Sequence, residues 1–349
     1  VSSERLSHDL LANDQTIEHF EKLKTSIIKA LWGGKLEQAY KICVQFVNEF
    51  QELELDDNLV YKSFEDYVEW ATAMVEWMDS GWPVKLSNFA DLRWLPIPIA
   101  KVYFFMGYIL HETEDFDDAI RLLNDAIFWN PVRAQYFCEL AAIYTKDQNS
   151  MGLAFEYYKK ALENAWDTHG LAAGYRGVGF CLIEMNDLEG AKAAYKKSLL
   201  LEPDSELAHN QLQYIDLLDS EPLTPKTVTS GPRHYQVSGL PLKDLPEIEP
   251  AVIEIDPQAL SATDLLLLER NIPITVNPKF ADGFTVLGLM ALDDGDVEQA
   301  LDIFKHARLI NDKSPAVHEG LAEVYTQMGE DKLAKYHRDM SAKLEAEME

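Results

Sequence analysis

Gly174, Gly177 and Gly179 stand close together, the composition of a loop that cradles phosphate with backbone N–H groups. Their order, G-x-x-G-x-G, is wrong for a dinucleotide loop, and no strand-like run precedes them. His318-Glu319 begins like the zinc-binding helix of a metalloprotease, but Ala322 stands where the second histidine is required. Cys43, Cys138 and Cys181 are odd in number, far apart, and include no C-x-x-C pair, so neither a disulfide framework nor a zinc site is expected. No nucleophile elbow, phosphate loop or paired-carboxylate arrangement stands in a plausible setting. The carboxylates are abundant, yet their distribution over helix faces is that of solvated surface. The chain is therefore expected not to be an enzyme, with no catalytic residues, no metal and no cofactor.

The charge is one-sided. Lys and Arg number 31 against 59 Asp and Glu, a net of −28, which repels phosphate backbones and anionic headgroups. Nucleic acid and membrane surface are excluded as partners on that ground, and a basic protein or peptide is favoured. The longest apolar stretch, Val102 to Leu110, is too short to cross a bilayer, and Val1 to Arg5 has no apolar core of the secretory kind. Cysteines in helical, apolar contexts act as small hydrophobes and point to a reducing, cytoplasmic setting.

What elements position these residues is answered by internal repetition. Tyr103, Met106, Gly107, Leu110, Ala119, Leu123, Ala126 and Pro131 recur 72 residues later as Tyr175, Val178, Gly179, Leu182, Ala191, Tyr195, Ser198 and Pro203. The early members recur again as Phe284, Leu287, Gly288 and Ala291, followed by Ala300, Phe304 and Ala307. Between the first two copies lies Phe137, Leu140, Ala141, Tyr144, Ala154, Tyr158 and Ala161, with one extra residue near Asp147 to Ser150. The pattern resembles the tetratricopeptide repeat, a unit of two antiparallel helices, and implies an all-α fold, an α-solenoid. In this register Gly107 and Gly179 let a neighbouring helix approach, and Ala119, Ala191 and Ala300 accept it. Pro131 and Pro203 stop the second helices.

Four regions follow. Residues 1–97 hold a degenerate pair (Leu23, Ala30, Gly34, Leu36, Ala39, Cys43, Phe46) and an aromatic-rich stretch with Trp70, Trp77, Trp82 and Trp94, read as helices covering the first end of the array. Residues 98–218 are the central repeats. Residues 219–257 carry seven prolines and break the helical rhythm, as a linker or an ordered strap. Residues 258–349 hold two more repeats, with Asp256 and Pro257 at the start of the first helix and a charged final helix as cap. In that last repeat His318 and Arg338 replace large apolar residues.

In the resembling family the first helices line a concave groove. The corresponding positions here include Lys101, Phe104, Tyr108 and His111, then Gln135, then Arg176 and Phe180. Aromatic centres with a few donors suit an extended or helical peptide. The family's carboxylate clamp for acidic tails is not reproduced: Phe104 and Tyr108 replace its first lysine and asparagine, Glu139 its second asparagine, and Gly177 its arginine. The resemblance thus implies a scaffold for a protein or peptide, such as an adaptor, co-chaperone or assembly factor. A sensor that changes the angle between two arrays and a self-associating subunit are the alternatives.

Overall fold

The computed structural model describes residues 14–55, 59–80, 92–220 and 260–348. In chain order the elements are α1 (Asp14–Trp32), α2 (Leu36–Gln51), β1 (Val60–Lys62), α3 (Tyr67–Ser80), β2 (Leu92–Trp94), α4 (Ile99–Glu112) and α5 (Phe116–Trp129). Then follow α6 (Ala134–Tyr144), a 3-10 turn (Gln148–Ser150), α7 (Met151–Glu163), α8 (Thr168–Glu184), α9 (Leu188–Leu201) and α10 (Glu206–Ser220). The last are α11 (Ala262–Leu268), α12 (Lys279–Asp293), α13 (Val297–Ile310), α14 (Pro315–Gln327) and α15 (Asp331–Met348). The fold is an all-α solenoid of helix hairpins, as the repeat implied.

One backbone device closes five of the hairpins among the described residues. The first helix ends on a residue with positive φ: Gly34, Glu114, Asn186, Gly295 or Gly329. Its N–H and that of the next residue donate back to the carbonyls three and five residues earlier, as Asn186 does to Ile183 (2.9 Å) and Asp187 to Leu182 (2.8 Å). The left-handed residue satisfies carbonyls that the helix end leaves open. Five residues beyond it stands an alanine each time, Ala39, Ala119, Ala191, Ala300 and Ala334, none more than 1% exposed. The same turn and alanine in α1–α2 make the degenerate N-terminal pair a hairpin of the same kind. In α6–α7 the turn is replaced by the 3-10 segment capped by Asp147, which accepts from the Asn149 N–H, so the extra residue sits where the spacing put it.

The helical glycines have a different partner from the one expected. A Cβ on Gly179 would lie 2.8 Å from the Tyr195 ring, and one on Gly288 would lie 2.7 Å from the Phe304 ring. The space is thus taken by the large residue one turn beyond the alanine, not by the alanine. Tyr158 of α7 fills the same role toward the next hairpin, its ring 2.2 Å from where a Gly177 Cβ would stand.

The chain divides into two compact units, one of residues 1–109, 124–132 and 278–349, the other of 110–123 and 133–277. In the first unit Phe20 and Phe46 pack at 4.6 Å, and Phe50 meets the Trp129 ring edge-on at 5.5 Å. The stretch read as helices over 56–95 is helical only in α3 among the described residues, and Trp82 lies outside them. Val60-Tyr61-Lys62 and Leu92-Arg93-Trp94, rich in strand formers, pair instead as a two-stranded parallel sheet with Lys62 opposite Trp94. Parallel strands need a crossover, which α3 lies within. α3 packs on α12: a Cβ on Gly283 would lie 2.9 Å from the Thr72 backbone nitrogen, and Lys279 pairs with Glu76 at 3.2 Å.

The C-terminal end of α5 is closed by this sheet. The Ser63 N–H donates to the Trp129 carbonyl at 3.0 Å, and the Lys62 ammonium donates to the Phe128 carbonyl. A cation at the negative end of a helix is favourably placed, yet Lys62 is only 2% exposed. Burial pulls its pKa down to about 8.

In the second unit Tyr158 of α7, Tyr175 of α8 and Tyr195 of α9 are all fully buried. α10 continues to Ser220, past the expected start of the interruption at Asp219. Most of the proline-rich stretch, with Asp256 and Pro257, lies outside the described residues. The helix that follows it begins at Ala262, where Ser261 and Asp264 form a reciprocal capping box.

Candidate functional site

The candidate groove residues come from the first helices of successive hairpins, α4, α6 and α8. Within the first unit, Lys101 pairs with Glu65 at 3.1 Å and stands over the Phe104 ring at 5.1 Å. Phe104 is 1% exposed, so it belongs to the packing beneath Lys101, while Tyr108 is half-buried.

Within the second unit α6 packs on α8. His111 Nδ1 lies 2.7 Å from Glu139 Oε1, with both side chains nearly enclosed. Glu139 is one of the few buried carboxylates among the described residues and sits on α6, four residues after Gln135. Gln135 and Phe180 are both half-buried. Cys138 is buried, and burial pushes its thiol up to about 12. It is packing material rather than a nucleophile.

Arg176 reaches across its own hairpin. It donates to Ser198 Oγ at 3.2 Å and pairs with Glu202, which also meets His169 Nδ1 at 2.8 Å. Burial works against the charge on Glu202, but His169 and Arg176 together hold its carboxylate below the usual range. Both nitrogen-bearing candidates of this unit, His111 and Arg176, are thus matched by a carboxylate of the same unit. Gly177 could carry no side chain without displacing Tyr158, so the clamp arginine is excluded sterically as well as by sequence.

A second set of contacts was not legible in advance. Residues 261–277 are fastened along the outer helices of this unit. Lys197 of α9 donates to Asp264 of α11 at 2.6 Å, with side chains 3% and 11% exposed. Arg270 Nη2 donates to Asp187 at 2.8 Å while its Nε donates to the other carboxylate oxygen, a bidentate fork. This guanidinium is the main cause of the lowered pKa of Asp187, which also caps α9 through the Gly190 N–H. The Tyr175 hydroxyl donates to the Pro273 carbonyl at 2.9 Å, and Asn277 to the Glu163 carbonyl at 3.2 Å. Only the Ser261-x-x-Asp264 capping signature announced any of this in the sequence.

Among the described residues no cluster of three or more His, Cys, Asp or Glu is placed to hold a metal ion, and no helix is long and apolar enough to cross a membrane.

A family profile described as tetratricopeptide repeat matches residues 100–132 and 177–205. No curated protein sequence matches the chain. Among solved structures, the apo form of RapI is similar at 11% identity and a TM-score of 0.37, over 95% of this chain and 98% of that one. A tetratricopeptide repeat protein from Parabacteroides merdae is similar at 11% identity and a TM-score of 0.36, over 94% and 93%. The TPR2AB domain of yeast Sti1, solved in a pHSP90 complex, is similar at 14% identity and a TM-score of 0.32, over 70% and 77%.

Proposed function

We propose that this chain, a tetratricopeptide-repeat protein, is a protein-interaction scaffold whose second unit holds a peptide segment on the α6–α8 face. Gln135 and Phe180 are the contact residues on that face. The His111–Glu139 contact and the Arg176–Glu202 ion pair hold the helices in place rather than offering free donors. The observation that carries this reading is that carboxylates already occupy both groove side chains of this unit, Glu139 at His111 and Glu202 at Arg176, in a chain of net charge −28. An acidic tail finds no unmatched donor there, whereas a basic or neutral segment meets no opposing charge. Lys101 and Tyr108 are proposed as contacts of the first unit, with Phe104 supporting Lys101 from beneath. An adaptor or assembly role in a reducing compartment such as the cytoplasm fits three free, buried cysteines.

The test is affinity capture from native extract, with cross-links mapped by mass spectrometry, comparing wild type with Gln135→Ala/Phe180→Ala. The expected outcome is a partner cross-linked near α6 and α8, lost from the variant and weakened by salt as exposed charges are screened. Capture that is unchanged in a folded variant, or a partner held through an acidic segment, would overturn the assignment.

A further inference from the structure

His318 of α14 and His337 of α15 are buried, at 4% and 2% exposure. Their Nδ1 atoms lie 2.8 Å apart, and the rings stack with centroids at 5.1 Å. The Tyr325 ring stacks on His337 at 5.5 Å, and Tyr336 meets it edge-on at 5.0 Å. The second nitrogen of His318, Nε2, lies 2.9 Å from the Asp312 carbonyl oxygen.

These contacts fix the proton positions. A carbonyl only accepts, so His318 Nε2 carries hydrogen and donates to Asp312. Neutral His318 then has a lone pair on Nδ1, and His337 must donate its Nδ1–H into it. A proton added at His318 Nδ1 meets the His337 Nδ1–H at hydrogen-bond distance, and moving that hydrogen to Nε2 relieves the clash only by leaving the added charge in the enclosed pair. A proton added at His337 Nε2 charges an enclosed ring. Of the charged groups on the helices packed here, Arg308 of α13 acts on His337 with the same sign, and no carboxylate of α12, α13, α14 or α15 pairs with either ring among the described residues.

We propose that the His318–His337 pair is an acid-sensitive latch that holds α15 on α14 at neutral pH and releases it as the imidazoles protonate. Release uncovers the apolar surface that Ala334 and Leu344 of α15 seal. Burial first, then His318 and Arg308, pull the pKa of His337 down to about 4. Once α15 is detached, His337 regains an ordinary value near about 6.5. A group with a lowered folded pKa costs nothing above its free value and destabilises the closed form as pH falls below it. Between pH 7.5 and 5.0 the His337 imidazole favours the open form by about 30-fold.

The experiment is hydrogen exchange of the full chain at these two pH values, corrected for intrinsic rates, with α8–α9 amides as internal reference. His337→Asn is the matched variant. Its amide can donate to neutral His318 Nδ1, and after a flip it can accept from the protonated ring. Opening of residues 331–348 should rise about 30-fold in wild type and no more than about 3-fold in the variant, with α8–α9 unchanged. A wild-type rise below about 10-fold, an equal rise in the variant, or a matching rise in α8–α9 would overturn the proposal. Should the variant not fold, the side-chain nitrogen resonances of the wild type decide. Nε2–H on His318 and Nδ1–H on His337 down to pH 5 in the closed form support the latch. Titration of His337 near pH 6.5 with α15 still protected refutes it.

Discussion

Lys62→Met removes a charge that the fold keeps at 2% exposure against the end of α5, while leaving most of the apolar stem in place. Among the described residues no carboxylate pairs with this lysine; its partners are the Phe128 carbonyl and the Phe128 ring, 3.7 Å from Nζ. Burial lowers its pKa from 10.5 to about 8. That gap corresponds to about 3 kcal/mol of differential destabilisation of the charged form, an upper bound because the helix end also attracts the cation. Below pH 8 both folded and unfolded chains carry the proton, and the wild type bears the whole cost. From pH 8 to 10.5 the unfolded chain binds more proton than the folded one, so wild-type stability gains up to about 1.4 kcal/mol per pH unit. The variant has no such term. Urea unfolding of both proteins from pH 7 to 10.5, followed by tryptophan fluorescence, isolates it, because other titrations are common to the pair. Wild type should gain on the variant by about 2–3 kcal/mol across that range, nearly all of it above pH 8. A difference independent of pH would show that Lys62 is ordinarily charged and that the burial argument fails.

Gly177→Ala should destabilise the second unit by about 1–3 kcal/mol in thermal or urea unfolding, because the new methyl meets the fully buried Tyr158 ring. Asp264→Ala leaves the Lys197 ammonium buried without its carboxylate and should cost about 3–5 kcal/mol. Adding Lys197→Met should recover most of that loss, and a double variant as unstable as Asp264→Ala would contradict the pairing. Glu114→Gly should raise the melting temperature, worth about 1 kcal/mol, because Glu114 holds φ at +65° where its sister turns use glycine or asparagine.

The repeats were legible because their rule is steric and local. The helical glycine and the alanine of the second helix are both read along a single hairpin. The sequence marks Gly34 and Ala39 only as members of a degenerate pair, and the left-handed φ shared by Gly34 and Asn186 shows α1–α2 to close as α8–α9 does. The strands were missed because three-residue segments such as Val60-Tyr61-Lys62 carry too little periodicity to stand against a helix-rich background. Lys62, Asp264 and Arg270 read as surface charges until their partners, 66, 67 and 83 residues away, are known. At the candidate site the helix positions were readable, but the occupancy of Arg176 by Glu202 was not, since it depends on how far a long side chain reaches across the turn. His318 stood out as a polar residue at an apolar position, and only the fold supplied His337 as its answer.

The pairing of α3 with α12 bears on how this chain can be made. In a plain repeat array each hairpin touches only its sequence neighbours, so folding can spread outward from any point as the chain emerges. Here Thr72 meets Gly283 across about two hundred intervening residues, while the second unit, residues 110–123 and 133–277, is nearly continuous in sequence. A ribosome working from the N-terminus therefore delivers all of the second unit before it delivers α12. Until then the close-packed flank of α3 has no cover, and the first unit waits open on a chain that is already folded in its middle.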